Sequence, residues 1–169
     1  MNNKNTVDVL ELLTAQHTEV DALFEKLEKG EGNRRELFTE LADKLAAHAR
    51  VEERIFYPAV MAKKTEDLLK ESVEEHLQIK RVLADLLSIK LDDDAFEAKL
   101  SVLKEDVSHH AHEEEEEKLF VMLRKSMSAD ELAALGNEVL AMFESLMTGH
   151  PSQQVPSETI EAAPLPKVA

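Results

Sequence analysis

The sequence predicts an all-α protein: an up-down-up-down four-helix bundle with an additional C-terminal helix and a disordered tail. Strong helix formers, Leu, Ala, Glu and Lys, dominate the chain before Gly149. Apolar residues recur there at alternating steps of three and four, the period of helices that bury one face. The links KGEGN and LDDD are short, so consecutive helices are expected to run antiparallel.

Short polar residues mark where five helices begin. In four places such a residue stands three positions before a carboxylate, as in a capping box: Asn5 with Asp8, Asn33 with Glu36, Asp94 with Glu97, and Ser128 with Glu131. Thr65 is a further N-cap candidate. These signals predict helices at about 6–29, 34–62, 66–90, 95–126 and 129–148. The first four form the bundle, and the fifth packs outside it.

The composition changes at Gly149. Most of the prolines follow this residue, and the segment GHPSQQVPSETIEAAPLPKVA has no apolar period. Residues 1–148 are therefore predicted to form one folded domain, and residues 149–169 the disordered tail. A chain of 169 residues with 43% hydrophobic residues can close a single core.

Charge and cysteine content exclude several functions. The formal net charge of -15 would repel phosphate backbones and anionic lipids, so neither nucleic acid nor membrane is an expected partner. The absence of cysteine excludes thiolate metal sites and leaves nitrogen and oxygen ligands. The N-terminal stretch lacks the pattern of a signal peptide, and no window reaches the roughly 18 apolar residues of a membrane span. A cytoplasmic location is the expectation.

Each predicted bundle helix carries one histidine on its apolar face. The faces of helices 1 and 3 consist of Leu10, Leu13, His17, Val20, Phe24 and Leu27, and of Leu69, Val73, His76, Ile79, Leu83 and Leu86. Those of helices 2 and 4 consist of Leu41, Leu45, His48, Glu52 and Ile55, and of Leu103, Val107, His110 and Glu114. Each even-numbered helix therefore adds a carboxylate one turn after its histidine.

These polar residues indicate a metal site when they are taken together. A lone inward histidine is usually a core residue bonded to a carbonyl, and an isolated HxxxE is common on acidic helices. Two buried glutamates near four buried histidines, however, would leave several polar groups in need of partners. A metal centre would satisfy them together. The candidate ligands are His17, His48, Glu52, His76, His110 and Glu114, a donor set that suits iron, manganese or zinc.

The segments around these positions resemble the haemerythrin-like family with its HHE cation-binding domain. The matching segments are LLTAQHTEVDALF, HARVEERIFYPAV, EEHLQIKRVL and SHHAHEEEEE. The resemblance implies two non-haem iron ions in a four-helix bundle, with histidines as terminal ligands and two carboxylates and an oxo or hydroxo group as bridges. Members bind dioxygen or nitric oxide, sense oxygen or iron, or act on peroxide.

One departure from the family opens the coordination. Haemerythrins have a second histidine in the third helix, four residues after the first, where this chain has Lys80. Two octahedral irons offer about twelve positions, and the predicted ligands leave about two for water or small ligands. Tyr57, before Pro58, could supply a hydroxyl near the site, but packing at the end of its helix is the favoured expectation.

The register of the fourth helix has two solutions. Counting forward from Val107 along the apolar face selects His110 with Glu114, whereas counting backward from Phe120 selects His112 with Glu116. We favour the forward count because it stays within the regular apolar face. A wide helical turn in the acidic run would also bring Glu115 within reach.

The sequence thus favours a di-iron protein that binds dioxygen or a related small ligand, nitric oxide or peroxide, for oxygen or iron sensing, storage or detoxification. Two alternatives stay open. One is a di-iron enzyme that decomposes peroxide or reduces an oxidant, and the other is a structural or partner-binding bundle stabilised by metal. The physiological ligand, the electron donor, a protein partner and the oligomeric state do not follow from the sequence.

Overall fold

The computed structural model describes residues 6–168, and the fold in this part of the chain is all-α. The α-helices are α1 (Val9–Lys29), α2 (Arg34–Val51), α3 (Tyr57–Val60), α4 (Glu66–Ser88), α5 (Phe96–Ser108), α6 (Phe120–Ser126) and α7 (Ala129–Met147). None of the described helices is long and apolar enough to cross a membrane.

Two π-helical segments complete the bundle helices. Glu52–Phe56 joins α2 to α3, and His109–Leu119 joins α5 to α6, without a break in the helical path. The four bundle helices are therefore α1, the second bundle helix from α2 to α3, α4, and the fourth bundle helix from α5 to α6. The predicted four-helix bundle with one additional helix is confirmed, and the described helix ends lie within about three residues of the predictions.

Two of the predicted helix caps are confirmed. The Asn33 side chain accepts a hydrogen bond from the backbone N–H of Glu36 at the start of α2. Ser128 and Glu131 form a reciprocal capping box at the start of α7. Each cap satisfies backbone donors that the first helical turn leaves without a partner.

The other helices begin differently from the prediction. Asp8 caps α1 by accepting from the backbone of the first turn, so the helix begins at Val9, and the predicted cap Asn5 lies outside the described residues. Before α5, the backbone N–H of Ala95 donates a hydrogen bond to the carboxylate of Asp93, and not to the predicted cap Asp94. Thr65 precedes α4, but its hydroxyl bonds to the backbone of the preceding loop.

The apolar core consists of two clusters separated by a polar layer. The first cluster includes Phe24, Leu41, Leu83, Phe96 and Leu100. The second includes Leu10, Leu13, Phe56, Leu69 and Leu119. The bundle histidines lie along the helices between the two clusters, since His17 stands between Leu13 of the second cluster and Val20 of the first. Apolar side chains thus exclude water from both ends of the polar layer.

The segment after α7 contradicts the expectation of a disordered tail. Pro151–Glu158 forms a 3₁₀ helix that packs on α2 and α4, and Val155 is buried in the first apolar cluster. The buried carboxylate of Asp43 accepts from the backbone N–H and the hydroxyl of Ser152, at 3.1 and 2.6 Å. These contacts with distant residues order a segment that has no helical period of its own. The packed chain therefore extends beyond residue 148.

Gly136 allows α7 to approach the start of the chain closely. A Cβ atom at this position would lie 1.7 Å from the carbonyl oxygen of Val7. Such a distance is impossible for two heavy atoms that are not bonded, so any larger residue must displace backbone.

Gly136→Ala is expected to lower the free energy of unfolding by about 1–3 kcal/mol, the cost of overpacking. Helix propensity alone would raise it by up to about 1 kcal/mol, so the sign of the change identifies the close approach. Urea denaturation followed by circular dichroism measures it. Gly149→Ala is the control, because its Cβ would meet nothing nearer than 3.9 Å. A stabilised Gly136→Ala variant would contradict the close packing of α7.

Candidate metal centre

Four histidines meet in the polar layer, one from each bundle helix. His17, His48, His76 and His110 are all at most 8% exposed. Their Nε2 atoms face one another in two pairs. His17 and His48 approach to 3.2 Å, and His76 and His110 to 2.9 Å. The sequence prediction therefore identified the four converging histidines correctly.

The other ring nitrogen of each histidine meets an oxygen acceptor. The Nδ1 contacts are His17 to Glu116 at 2.7 Å, His48 to Gln16 at 2.7 Å, His76 to Glu53 at 3.0 Å and His110 to Glu75 at 2.6 Å. An acceptor at Nδ1 favours a proton on that nitrogen, and the Nε2 lone pair is then directed into the cluster. A histidine that binds a metal through Nε2 has this tautomer.

Two fully buried carboxylates join the histidine pairs. Glu52 places Oε1 at 2.9 Å from Nε2 of His48, and Oε2 at 3.1 Å from Nε2 of His76. Glu115 places Oε2 at 3.1 Å from Nε2 of His17, and Oε1 at 3.6 Å from Nε2 of His110. Each carboxylate therefore offers one oxygen to each pair. This arrangement suits two neighbouring cations that share both carboxylates.

The structure corrects one predicted residue, because Glu115 and not Glu114 points into the cluster. In the π-helical segment His109–Leu119 a turn contains one more residue than in an α-helix, and the N–H of Phe120 donates to the carbonyl of Glu115 five residues before it. The inward position after His110 is consequently the fifth residue. Glu114 is also buried, but its carboxylate lies 2.5 Å from the amine of Lys118 and 3.7 Å from Nε2 of His109, apart from the four histidines.

The alternative register of the fourth bundle helix does not occur. His112 is about one third exposed and contacts Asp21 at 2.9 Å and Glu116 at 3.1 Å. Glu116 reaches the centre only through its contact with Nδ1 of His17. The forward count along the apolar face therefore selected the correct histidine.

Tyr57 lies in the centre, so the less favoured of its two predicted roles, a hydroxyl near the site, is the one that the structure shows. Its side chain is fully buried, and its hydroxyl donates to Oε1 of Glu115 at 2.7 Å. The hydroxyl oxygen of Tyr57 also lies 3.3 Å from Nε2 of both His76 and His110. The π-helical turn Glu52–Phe56 places Tyr57 one wide turn after Glu52, and the backbone N–H of Tyr57 donates to the carbonyl of Glu52. In the sequence, the Tyr-Pro pair that ends the family-like segment HARVEERIFYP is the feature that points to a role for Tyr57 at the site.

The electrostatics of the cluster demand positive charge. Burial would raise the pKa of Glu52, but the charge of His48 and the neighbouring imidazoles of His110 and His76 hold that pKa well below its usual value. Burial would lower the pKa of His17, yet the carboxylates of Glu115 and Glu116 beside its ring raise that pKa to about 9. Protons on the imidazoles thus supply the charge that the buried carboxylates need when no metal is bound.

The residues present fit a metal. Oε1 of Glu52 and Oε2 of Glu115 are buried and have no hydrogen-bond partner among the described residues, although imidazole nitrogens lie nearby. An unpaired buried carboxylate oxygen is costly, and a cation would remove that cost. Nitrogen and oxygen donors without sulfur suit iron, manganese or zinc. His17, His48, Glu52 and Glu115 would hold one ion, and Glu52, His76 and His110 the other.

Lys80 occupies the position of the absent fifth histidine but does not face the cluster. Its amine is buried and contacts the two carboxylate oxygens of Glu53 at 2.8 and 2.9 Å. It also lies 3.3 Å from Glu158 of the 3₁₀ helix. The centre therefore has four histidines, in agreement with the sequence prediction.

A four-helix bundle around buried histidines and shared carboxylates defines a class of metal-binding helical proteins. Within it, this chain belongs to the haemerythrin family, since the family model described as Hemerythrin HHE cation binding domain matches residues 8–123. The chain is also similar to a Hemerythrin HHE cation binding domain-containing protein from Mycobacterium kansasii of known crystal structure. The identity is 27%, the TM-score is 0.73, and the match covers 84% of this chain and 88% of that one.

A second relative is a DNA nickase of Nostoc sp. It is 25% identical over 142 residues, which are 83% of this chain. The match covers only 40% of the length of that relative. The similarity therefore concerns a part of the Nostoc protein.

Glu115→Gln is expected to weaken metal binding by at least about tenfold, because it removes a charge and a shared oxygen donor. Glu114→Gln should keep the metal content of the unsubstituted chain. Elemental analysis of both variants after equal dialysis against a chelator measures the difference. If both variants lose the same amount of metal while their helix content is unchanged, the assignment of Glu115 rather than Glu114 to the metal centre is wrong.

Proposed function

We propose that this chain is a non-haem di-iron protein that binds dioxygen or a related small ligand, nitric oxide or peroxide. The irons would be joined by an oxo or hydroxo group and by two carboxylates. The proposed ligands are His17, His48, Glu52, His76, His110 and Glu115. The physiological use that we propose is oxygen or iron sensing, storage or detoxification.

The observation that carries this proposal is a small cavity beside the four histidines. Its volume is about 30 Å³, and its other lining residues are mostly apolar: Val20, Leu45, Ala49, Ile79, Val107 and Ala111, with Gln16 as the polar exception. A space of this size holds a molecule of one or two heavy atoms. Uncharged diatomic molecules match both its volume and its apolar walls.

Iron is the metal that best matches this use. Bound iron would supply the electron exchange that reversible dioxygen binding requires, which zinc cannot supply. The chain itself would contribute in two ways. The acceptors at Nδ1 hold the four imidazoles in place, and the two apolar clusters keep bulk water away from the centre. Membership of the haemerythrin family supports the same assignment.

A second candidate function is the decomposition of peroxide. The buried hydroxyl of Tyr57 favours it, because this O–H lies within 3.3 Å of two histidines and bonds to Glu115. A proton held at that place is available to a reacting ligand. We do not extend the nickase activity of the Nostoc relative to this chain, because a net charge of -15 opposes binding to DNA.

Protein purified from iron-replete cells is expected to contain about two irons per chain, the number suited to four histidines and two shared carboxylates. The reduced protein should change its optical spectrum under dioxygen and recover it under nitrogen. Elemental analysis and anaerobic spectroscopy measure both properties. One tightly bound zinc without iron would refute the proposal. Sustained oxygen evolution from peroxide over many turnovers would instead favour the second candidate.

Ala111→Val is expected to fill the small cavity and to reduce the affinity for nitric oxide by about 10- to 100-fold, the equivalent of 1–3 kcal/mol of steric overlap. The metal content should not change. Ala98→Val is the control, because Ala98 is exposed on α5 and loses the same helix propensity. Anaerobic titration of the reduced proteins with nitric oxide measures the affinities. Equal affinities in the two variants would place ligand binding outside this cavity.

A further inference from the structure

Glu158, the last residue of the 3₁₀ helix, connects two helices that carry metal ligands. One carboxylate oxygen accepts from Arg50 of α2 at 2.7 Å, and the other lies 3.3 Å from the amine of Lys80 of α4. Arg50 and Lys80 are both more than nine-tenths buried. The charges of this contact are therefore poorly screened by solvent, and changes in one are felt by its neighbours.

Lys80 continues this contact toward the centre. Its amine also bonds both oxygens of Glu53, and Oε1 of Glu53 accepts from Nδ1 of His76 at 3.0 Å. Glu158, Lys80, Glu53 and His76 thus form an unbroken series of four charged or hydrogen-bonded groups. The series begins in the C-terminal segment and ends at a candidate metal ligand.

His76 is the only one of the four histidines whose Nδ1 acceptor is bound by a lysine or arginine in the described part of the chain. Gln16, the acceptor for His48, is neutral. Glu116 and Glu75, the acceptors for His17 and His110, have only further histidines as cationic partners. The charge on the acceptor of His76 is therefore shared with Lys80, and the charge of Lys80 is shared with Glu158.

We propose that Glu158 is a positioning residue of the metal centre, which acts on His76 through Lys80 and Glu53. By drawing part of the charge of Lys80 away from Glu53, Glu158 strengthens the hold of Glu53 on Nδ1–H of His76. Nε2 of His76 then becomes a stronger donor to its metal. This inference rests on the proposed metal-binding function, and it makes the C-terminal segment a part of the centre.

Glu158→Gln removes the charge while the segment stays docked. The 3₁₀ helix keeps Val155 in the apolar core and the bonds between Ser152 and Asp43. In this variant Glu53 would be the only carboxylate paired with Lys80 among the described residues. Partners of ligand histidines alter metal affinity by about 10- to 100-fold. Because Glu158 acts on His76 through two intervening residues, we expect the lower end of this range, a metal release from the His76–His110 pair that is about tenfold faster.

The matched control is Glu161→Gln. Glu161 lines the same cavity of about 470 Å³ beneath the C-terminal segment as Glu158 does, but forms no ion pair with the described residues. Both variants and the unsubstituted chain are loaded with ferrous iron without oxygen, and the transfer of iron to a ferrous chelator is followed optically. Only Glu158→Gln should show a release phase accelerated about tenfold, with the other phase unchanged.

A spectroscopic measurement separates positioning from a general loss of structure. In the cobalt(II)-loaded protein, the exchangeable Nδ1–H protons of ligand histidines give separate, paramagnetically shifted NMR signals. Glu158→Gln should move one of these signals, whereas Glu161→Gln should move none. No movement, or equal movement of all the signals, would overturn the positioning role. If the unsubstituted chain binds neither iron nor cobalt, the proposed function itself fails.

Discussion

The burial of two carboxylates between two apolar clusters is the constraint on which the rest of this structure depends. Glu52 and Glu115 are fully buried, and each needs positive charge or hydrogen-bond donors that water cannot provide. The four histidines and the hydroxyl of Tyr57 surround them, so one helix of the bundle cannot shift without breaking contacts to another. The packing of the bundle and the chemistry of the centre therefore stabilise the same arrangement.

Two π-helical segments give the centre its final geometry. π-Helical turns are less favourable than α-helical ones and occur mainly at functional sites. Here each of them places one additional group in the polar layer: Tyr57 directly after the first segment ends, and Glu115 within the second. The hydroxyl of Tyr57 donates a hydrogen bond to the carboxylate of Glu115. The irregular backbone thus places in the polar layer a carboxylate and a hydroxyl that four regular α-helices would leave outside it.

The C-terminal segment links the outside of the bundle to the centre. Its order depends on buried charged residues of α2 and α4, among them Asp43, Arg50 and Lys80. Lys80 stands where haemerythrins have a fifth histidine, and it bonds to the acceptor of His76 instead of facing the metal site. Replacement of a histidine by a lysine therefore changes more than a count of ligands, because it brings a distant segment of the chain into contact with the surroundings of the centre.

The sequence by itself determined the helical bundle, and five of the six side chains that it predicts to meet in the polar layer do so. Helical periodicity is a local property, so the apolar faces that contain His17 and His76 can be recognised without knowledge of the fold. Only the tertiary structure decided that Glu115 replaces Glu114, that Tyr57 faces inward and that residues 151–158 are ordered. A π-helical turn shifts the inward register by one residue without a change in composition. The C-terminal segment is held by ion pairs and apolar contacts with residues about a hundred positions away, such as Asp43 with Ser152, and no local pattern records such partners.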